Sequence, residues 1–389
     1  MNNERTVFSQ ILDFIPMHQF RTCVNRYNGN HRVKSFSCFD QYLTMAFAQL
    51  TYRESLRDIE TCLNALQGKL YHCGFRGKVS RNNLANSNEK RDWRIYHDFA
   101  QVLISKARQL YANEDFGVTL KNTVYALDAT VIDLCLSLFP WAQHRQHKSA
   151  IKLHTLMDLK GSIPTFVRIT SGAMHETTIF PTIPLETSAI YVMDKGYTDF
   201  ETLYSFSKSN CFFVIRAKNN LVYYRRCSHP INKNAGIRSD QAIQLTGPKT
   251  SRLYPIPLRR ITFRDEEQHR TFVFLTNHFQ LDALTICQLY KLRWQIELFF
   301  KWIKQHLRIK SFFGTSINAV KTQIWIAISV YVLVAIIKKE LELEHSFHEI
   351  LQIISILLFE KTPLKQALTE NSYDFKEQQN YNQLSLFNL

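Results

Sequence analysis

Four apolar runs rich in β-branched and aromatic residues lie between positions 124 and 218: VYALDATVIDL, AIKLHTLMDLKGSIPTFVRIT, SAIYVMDKGY and CFFVIRAK. Their composition and turn-bounded lengths predict strands. The first reads as a strand ending near Asp128, the second as a hairpin turning at DLKGS, and the third as a buried strand running into Asp194. Helical stretches fall between and after them. The resulting order is strand, strand, strand, helix, strand, helix, strand and then the helix that contains Glu297, which predicts an α/β layer structure.

That order is the one found in ribonuclease H-like α/β cores. Asp128 follows the apolar run VYAL and Asp194 follows IYVM, which puts each at the carboxyl end of a strand expected to be buried. Ligand sites of open α/β sheets favour that edge, and a buried aspartate is costly unless paired, hydrated or bound to metal. A single Asp after a strand is more often a turn or cap residue. Two such strands followed by a helix bearing Glu297 are harder to explain that way. Three hard oxygen ligands can hold two Mg²⁺ ions about 3.5 to 4 Å apart and drive in-line phosphoryl chemistry.

The helix around Glu297 points the same way. In YKLRWQIELFFKWIKQHL, residues 290 to 307, about 100° per residue brings Tyr290, Arg293, Glu297 and Lys304 onto one narrow stripe. Leu289, Leu292, Ile296, Phe299, Ile303 and Leu307 fall on the adjoining face, which is expected to pack on the core. Taken alone, the stripe is also what a solvated face with an Arg to Glu pair at i, i+4 looks like. A carboxylate flanked by two cations and a phenol can instead hold a metal ion beside a phosphate.

The chain of 389 residues is long enough for two or three domains, and its 45% hydrophobic content is that of a folded protein. Lys and Arg number 48 against 33 Asp and Glu, a net +15. Such a surplus suits a polyanionic partner, nucleic acid ahead of anionic membrane. The N-terminal MNNERTVFSQILDF lacks the apolar core of a signal peptide, so a cytoplasmic, nucleoid-associated location is expected. The apolar segment IWIAISVYVLVAII, 324 to 337, is too short to span a bilayer and reads as a buried core helix. Eight scattered cysteines without C-x-x-C spacing suggest neither a zinc ribbon nor a disulfide framework.

Apolar periodicity predicts a helical domain over 1–112. Within it, residues 69 to 94 carry seven cations and two anions, a net +5. Ser80 is placed to cap a helix starting near RNNLA. This stretch resembles a helix-turn-helix reading head with a basic second helix, in which Arg81, Lys90, Arg91 and Arg94 are candidate DNA contacts. A polar link, ANEDFGV, leads to a catalytic domain over 119–312. Residues 216–270 form a turn-rich β insertion with twelve cations and four anions, a net +8. Its LVYYRRC interleaves Tyr223 and Tyr224 with Arg225 and Arg226, as a surface that stacks bases and grips phosphates would. A helical C-terminal region over 313–389 completes the chain.

The spacing Y-x-x-R-x-x-x-E-x-x-x-x-x-x-K, present as Tyr290, Arg293, Glu297 and Lys304, resembles the signature of the DDE transposases of the insertion-sequence-four family. LDATVID and MDKGYTD resemble that family's two aspartate motifs, and FSQILDFIPMHQF and VSRNNLANSNEKRDWRIY resemble the N-terminal region of one subgroup. The resemblance implies that Asp128, Asp194 and Glu297 are catalytic metal ligands for Mg²⁺, with two ions expected and Mn²⁺ able to substitute. It implies that Tyr290, Arg293 and Lys304 grip phosphates near the cleaved end. The implied partners are double-stranded DNA, as terminal inverted repeats and as target, and a second copy of the chain in a homodimer on DNA, with no membrane. The implied activity is cut-and-paste transposition. Relatives trap a flipped base with a Trp of the insertion; this insertion has none, which leaves Tyr223, Tyr224 or Tyr254 for that role, or a terminus processed differently.

Weaker candidates remain. His144, His147 and His154 have a loosely zinc-like spacing without a nearby Cys, and Arg145 and Lys148 beside them are better read as phosphate contacts. Lys195 follows Asp194 and is either a DNA contact or a plain surface lysine. The rival classes are a catalytically silent DNA-binding repressor derived from a transposase, and a ribonuclease H-like nuclease, which has no need of the reading head or the basic insertion.

Overall fold

The computed structural model describes residues 5–76, 78–145, 148–266, 269–307 and 312–369, with the backbone alone at 143–145, 148 and 305–307. The chain opens with helices α1 (Val7–Ile11), α2 (Met17–Arg26), α3 (Cys38–Leu50), α4 (Leu56–Ala65), α5 (Gln67–Leu70), α6 (Arg81–Lys90) and α7 (Arg94–Leu110). Side-chain caps set several of their starts. Ser37 and Asp40 close a reciprocal capping box on α3, with the Ser37 N–H donating to Asp40 at 2.8 Å and the Asp40 N–H to Ser37 at 3.1 Å. Ser80 accepts from the Asn83 N–H at 3.1 Å and caps α6. The fifteen residues 66–80 that join α4 to α6 contain α5 and a 3₁₀ turn. α4 and α6 are therefore not joined by the tight three- or four-residue turn of a helix-turn-helix motif; the three-residue link in this stretch is Arg91–Trp93, between α6 and α7.

Next come strands β1 (Val124–Leu134), β2 (Gln143–Arg145), β3 (Lys148–Asp158), β4 (Ile163–Ser171) and β5 (Ile190–Met193), helix α8 (Phe200–Lys208) and β6 (Phe212–Arg216). Gly161 at φ 73° and Ser162 at φ 55° reverse the chain between β3 and β4. Strands β7 (Tyr223–Ser228) and β8 (Ile237–Leu245), helix α9 (Thr250–Leu253), and β9 (Leu258–Asp265) and β10 (Arg270–Thr276) follow. All ten strands join one mixed sheet in the order β2-β3-β1-β5-β6-β10-β9-β8-β7, with β4 also on β3. The β-rich stretch expected over 216–270 thus extends the central sheet through β10 rather than standing beside it.

Pleat parity divides the core. Val124, Ala126, Ile190, Val192 and Val214 face the helices, whereas Tyr125, Leu127, Tyr191, Met193, Phe213 and Ile215 pack on the other face, with Leu203 and Phe206 of α8. The chain ends with α10 (Ala283–Leu292), α11 (Trp294–Leu307), α12 (Ile317–Glu340), α13 (Phe347–Leu357) and α14 (Leu364–Thr369). Helix α12 is apolar all round and long enough to cross a membrane by composition, but 94% of its most apolar window is buried inside the protein. It packs along α7, α3 and α6, as an all-apolar helix in a core does. The Val7 and Phe8 N–H groups donate to the Glu360 and Leu358 carbonyls at 2.9 and 2.8 Å. The C-terminal helices are thereby part of the helical layer and not a tail attached to it. Residues 370–389 of the expected C-terminal region lie outside the described residues.

Candidate active site

Strands β1 and β5 run parallel with Leu127 opposite Met193, so Asp128 and Asp194 are the next residues of two neighbouring strands. Both share the pleat parity of Val124 and Val192 and emerge on the helix-covered face. β5 stops at Met193, but β1 continues to Leu134 because β3 pairs with it throughout, Asp128 opposite Thr155. The strand therefore does not end near Asp128. The aspartate sits within β1 at the point where the β1–β5 ladder gives out.

The segment 290 to 307 is two helices and not one. Arg293 separates α10 from α11 with tightened i to i+3 bonds, Arg293 N–H to the Tyr290 carbonyl at 3.2 Å and Ile296 N–H to the Arg293 carbonyl at 3.1 Å. Tyr290 ends up on α10 and Glu297 in the first turn of α11, yet both still face the strand ends. Leu289, Ile296, Phe299 and Ile303 are buried and Leu292 partly so. The Leu307 side chain is outside the described residues.

Asp128, Asp194, Tyr290, Arg293 and Glu297 line one cavity of about 1000 Å³. Arg293 donates to Asp128 and, at 2.6 Å, to Glu297, while the Tyr290 hydroxyl donates to Asp194 at 3.1 Å. Burial pushes the Asp128 carboxyl up to about 6, and the charges of Asp194 and Glu297 add to this; Arg293 and the Ala129 N–H oppose it. Burial, then Asp194, lifts the Tyr290 phenol to about 12. Burial opposes the charge of Arg293, but Asp128, Tyr290 and Glu297 outweigh it. Lys304 is exposed further along α11 and does not line the cavity.

The donor chemistry fits a hard divalent cation: three carboxylates from three elements on a largely buried floor. Three buried polar atoms near these carboxylates have no hydrogen-bond partner among the described residues: Arg293 Nε in the cavity wall, Thr155 Oγ1 opposite Asp128 on β3, and the hydroxyl of Tyr197, whose ring packs in the cluster on the other face of the sheet. At present Arg293 supplies the positive charge between Asp128 and Glu297, and among the described residues no group of three His, Cys, Asp or Glu side chains is arranged to hold a metal ion.

The far wall comes from the end of β6 and the strands beyond it. Arg216, Phe263, Arg264, Arg270 and Phe272 line it. The sequence reading counted these arginines as charge without singling them out. It also missed Trp294, which follows Arg293, lines the cavity and is 58% exposed. The signal that could have found it is its place on the helical wheel, about 40° from Tyr290 and away from the apolar face.

Other predicted contacts lie elsewhere. Tyr223, Tyr224, Arg225 and Arg226 are on edge strand β7, with Tyr223 opposite Leu245, at the end of β8 away from the cavity-lining Gly236. Tyr224 and both arginines are exposed, and Arg260 stacks over Tyr223 at 5.3 Å. Tyr254 is fully buried and bonds Ser207 at 2.9 Å, so it cannot stack on a base. Arg81, Lys90 and Arg94 are exposed, Arg94 paired with Asp92 at 2.6 Å. Arg91 turns inward instead, donating to the Phe36 carbonyl, the Ser37 carbonyl at 2.7 Å and Gln41 at 3.0 Å. His154 is buried in the sheet beside Thr170, and burial pushes its imidazole down to about 4, as a neutral core histidine. His147 lies outside the described residues, as do the side chains of His144, Arg145 and Lys148.

Residues 119–333 match the family described as transposase DDE domain, and residues 3–76 match a domain of unknown function (DUF4372). A protein of Sinorhizobium fredii named as a transposase, y4zB, is 34% identical over 65% of this chain and 70% of its own length. A protein of Geobacillus stearothermophilus, named as a transposase for insertion sequence element IS5377, is 31% identical over 53% of this chain and 54% of its own. One of Synechocystis, named for element IS4SA, is 22% identical over 82% and 88%. Among solved structures, a piggyBac transposase synaptic complex with hairpin DNA aligns with 92% of this chain and 81% of its own at 9% identity, with a TM-score of 0.45.

Proposed function

The chain belongs to the DDE transposases, as its resemblance to the insertion-sequence-four family implies, and on that premise we propose that it cuts DNA at the terminal inverted repeats of an insertion sequence and joins the freed ends to target DNA. The observation that carries this reading is the meeting of Asp128, Asp194 and Glu297, from β1, the end of β5 and α11, on one cavity whose other walls carry arginines. The strand order β4-β3-β1-β5-β6, with β1, β5 and β6 parallel, supports a ribonuclease H-like core.

In this reading the three carboxylates hold Mg²⁺, or Mn²⁺ in its place. When bound, two such ions supply the Lewis-acid charge that in-line phosphoryl transfer requires. The protein's own groups do the rest. Tyr290 fixes the rotamer of Asp194 through its hydroxyl. Arg293 holds Asp128 and Glu297 apart from solvent until a phosphodiester takes over its N–H groups, for which its planar fork is suited. Arg216, Arg264 and Arg270 line the route of the DNA backbone. Trp294, exposed at the cavity, offers the tryptophan that the insertion's own sequence lacks. Water attack on the end phosphodiester gives a 3′-hydroxyl and a 5′-phosphate, and attack of that 3′-hydroxyl on a target phosphodiester joins the strands as the target's own 3′-oxygen leaves as a hydroxyl. Cutting both ends together calls for a homodimer on DNA, and action on the chromosome places the protein in the bacterial cytoplasm.

The test incubates the purified chain with duplexes bearing its element's ends, with Mg²⁺ and with EDTA. Products ending in a 3′-hydroxyl at the repeat boundary, formed only with metal, are expected. Tight binding without cleavage in Mg²⁺ or Mn²⁺ would mark a DNA-binding repressor instead.

A further inference from the structure

Helix α6 turns an unusual surface to solvent. Leu84, Ser87 and Asn88 are buried where α6 packs on α12 and α4. At about 100° per residue the exposed arc is then centred on Asn82 and Asn86, flanked by Asn83 and Lys90 on one side and by Glu89 on the other. Asparagine is a poor helix former, yet α6 has four in ten residues. Asn88 has a structural use, accepting from Gln41 at 2.7 Å. The side-chain amides of Asn82, Asn83 and Asn86 have no hydrogen-bond partner among the described residues, so nothing within the described fold accounts for them.

Beside this face runs a groove of about 590 Å³, with Asn83, Asn86 and Lys90 on one wall and Asn28, His31 and Lys34 on the other. The second wall is a preset loop. Gly29 is packed so closely that a Cβ there would meet Ile95 Cδ1 at 2.5 Å and Cys38 Sγ at 2.7 Å. Asn28 and Arg32 hold left-handed φ of 50° and 56°. Asn30 accepts from the Cys38 N–H at 2.8 Å, and the inward-turned Arg91 clamps the Phe36 and Ser37 carbonyls. The exposed His31, Arg32 and Lys34 are thus carried on a fixed backbone alongside α6.

We infer that α6 is the base-reading helix of the terminal repeat, with Asn82 and Asn86 contacting adenines in the major groove and Arg32, Lys34, Arg81 and Lys90 holding the phosphates on either side. This rests on the proposed transposase function and adds its specificity. A carboxamide donates to and accepts from adenine N7 and N6 at once, which no other base edge allows in the same geometry. Charge complementarity supplies affinity without sequence preference, and the amides supply the preference.

The experiment selects binders from a random duplex library with the full chain in EDTA, for the wild type, Asn82→Ala, Asn86→Ala, Asn86→Arg and Lys34→Ala. Thermal melts check that these exposed substitutions leave the fold intact. The wild type should enrich a motif with adenine at defined positions. Each alanine variant at 82 or 86 should lose the preference at its own position and bind the wild-type motif about 5- to 150-fold more weakly, with affinity for random duplex changed less than about threefold. Asn86→Arg should move one position from adenine to guanine, and Lys34→Ala should weaken motif and random duplex alike. A wild-type motif that every Asn variant retains overturns the inference and leaves the transposase reading standing. A wild type that binds no duplex overturns both.

Discussion

Arg293, at the junction of α10 and α11, reaches across to Asp128 in β1 and joins it to Glu297, which lies one helical turn further along the chain. One guanidinium therefore neutralises two of the three carboxylates at the strand ends. A cation in that place opposes a second cation there.

Removing it should consequently strengthen metal binding in the DNA-free protein. Arg293→Gln is expected to raise Mn²⁺ affinity on the order of tenfold, a modest share of the Coulomb repulsion between neighbouring cations. Electron paramagnetic resonance titration of free Mn²⁺ measures this directly. The same variant should lose cleavage because its phosphate grip is gone. Weaker Mn²⁺ binding would show instead that Arg293 orders the carboxylates for the metal.

Asp128 gives stability and activity opposite responses to pH. Its carboxyl rises from 3.8 to about 6 in the fold, so between those values the folded chain keeps a proton that the unfolded chain has lost. The stability tied to this group is full below about pH 4 and is lost as pH rises through 6. Asp128→Asn should therefore stabilise the protein by about 1 to 3 kcal/mol at pH 7.5, with a smaller gain at pH 4.5. Urea denaturation at the two pH values tests it. Metal binding needs the ionised carboxylate, so activity at subsaturating metal should fall as pH drops through 6.

Arg259 and Asp240 form a buried ion pair at 2.7 Å, and Arg259 also donates to the carbonyls of His278 and Leu281, just before α10. Arg259→Met leaves Asp240 buried and unpaired and should cost about 3 to 5 kcal/mol, while Arg259→Met with Asp240→Leu should recover most of it. Chemical denaturation of the three proteins gives the comparison. An equal loss in single and double variants would point to the carbonyl contacts as the larger contribution.

VYALD and IYVMD each end an apolar run on an aspartate, which is what makes Asp128 and Asp194 candidates; that the two share a face depends on the β1–β5 register, Leu127 opposite Met193, which no local signal carries. The arrangement of Tyr290 and Glu297 was readable only in part. A uniform helical period aligns them, but the break at Arg293 depends on how two helices pack over strand ends. Charge was the least informative signal. Arg91 and Arg94 look equivalent in NEKRDWR, yet one turns inward to the Phe36 and Ser37 carbonyls and the other is exposed. LVYYRRC has the composition of a nucleic-acid surface but lies on the edge strand, since strand order across the sheet is a long-range outcome. Meanwhile Arg264 and Arg270, which the sequence distinguishes only as part of the charge of 216–270, reach the cavity.

Trp294 is exposed beside buried Ile296 and Phe299. Trp294→Ala should weaken binding of an end duplex that carries one unpaired base by about 1 to 3 kcal/mol, roughly a base–aromatic stack, and leave a fully paired duplex nearly unaffected. Fluorescence anisotropy with both duplexes in EDTA separates the two. Equal loss on both would assign Trp294 to backbone contact instead.

The central claim is that Asp128, Asp194 and Glu297 form one metal-dependent catalytic set. Its most direct measurement is the single-turnover cleavage rate of an end duplex in Mg²⁺ for the wild type, Asp128→Asn, Asp194→Asn and Glu297→Gln, each checked for DNA binding in EDTA. The account predicts that each substitution lowers the rate by at least about a thousandfold, on the scale of losing a principal charge-stabilising group, with binding retained. Near wild-type cleavage by any one of the three would contradict it.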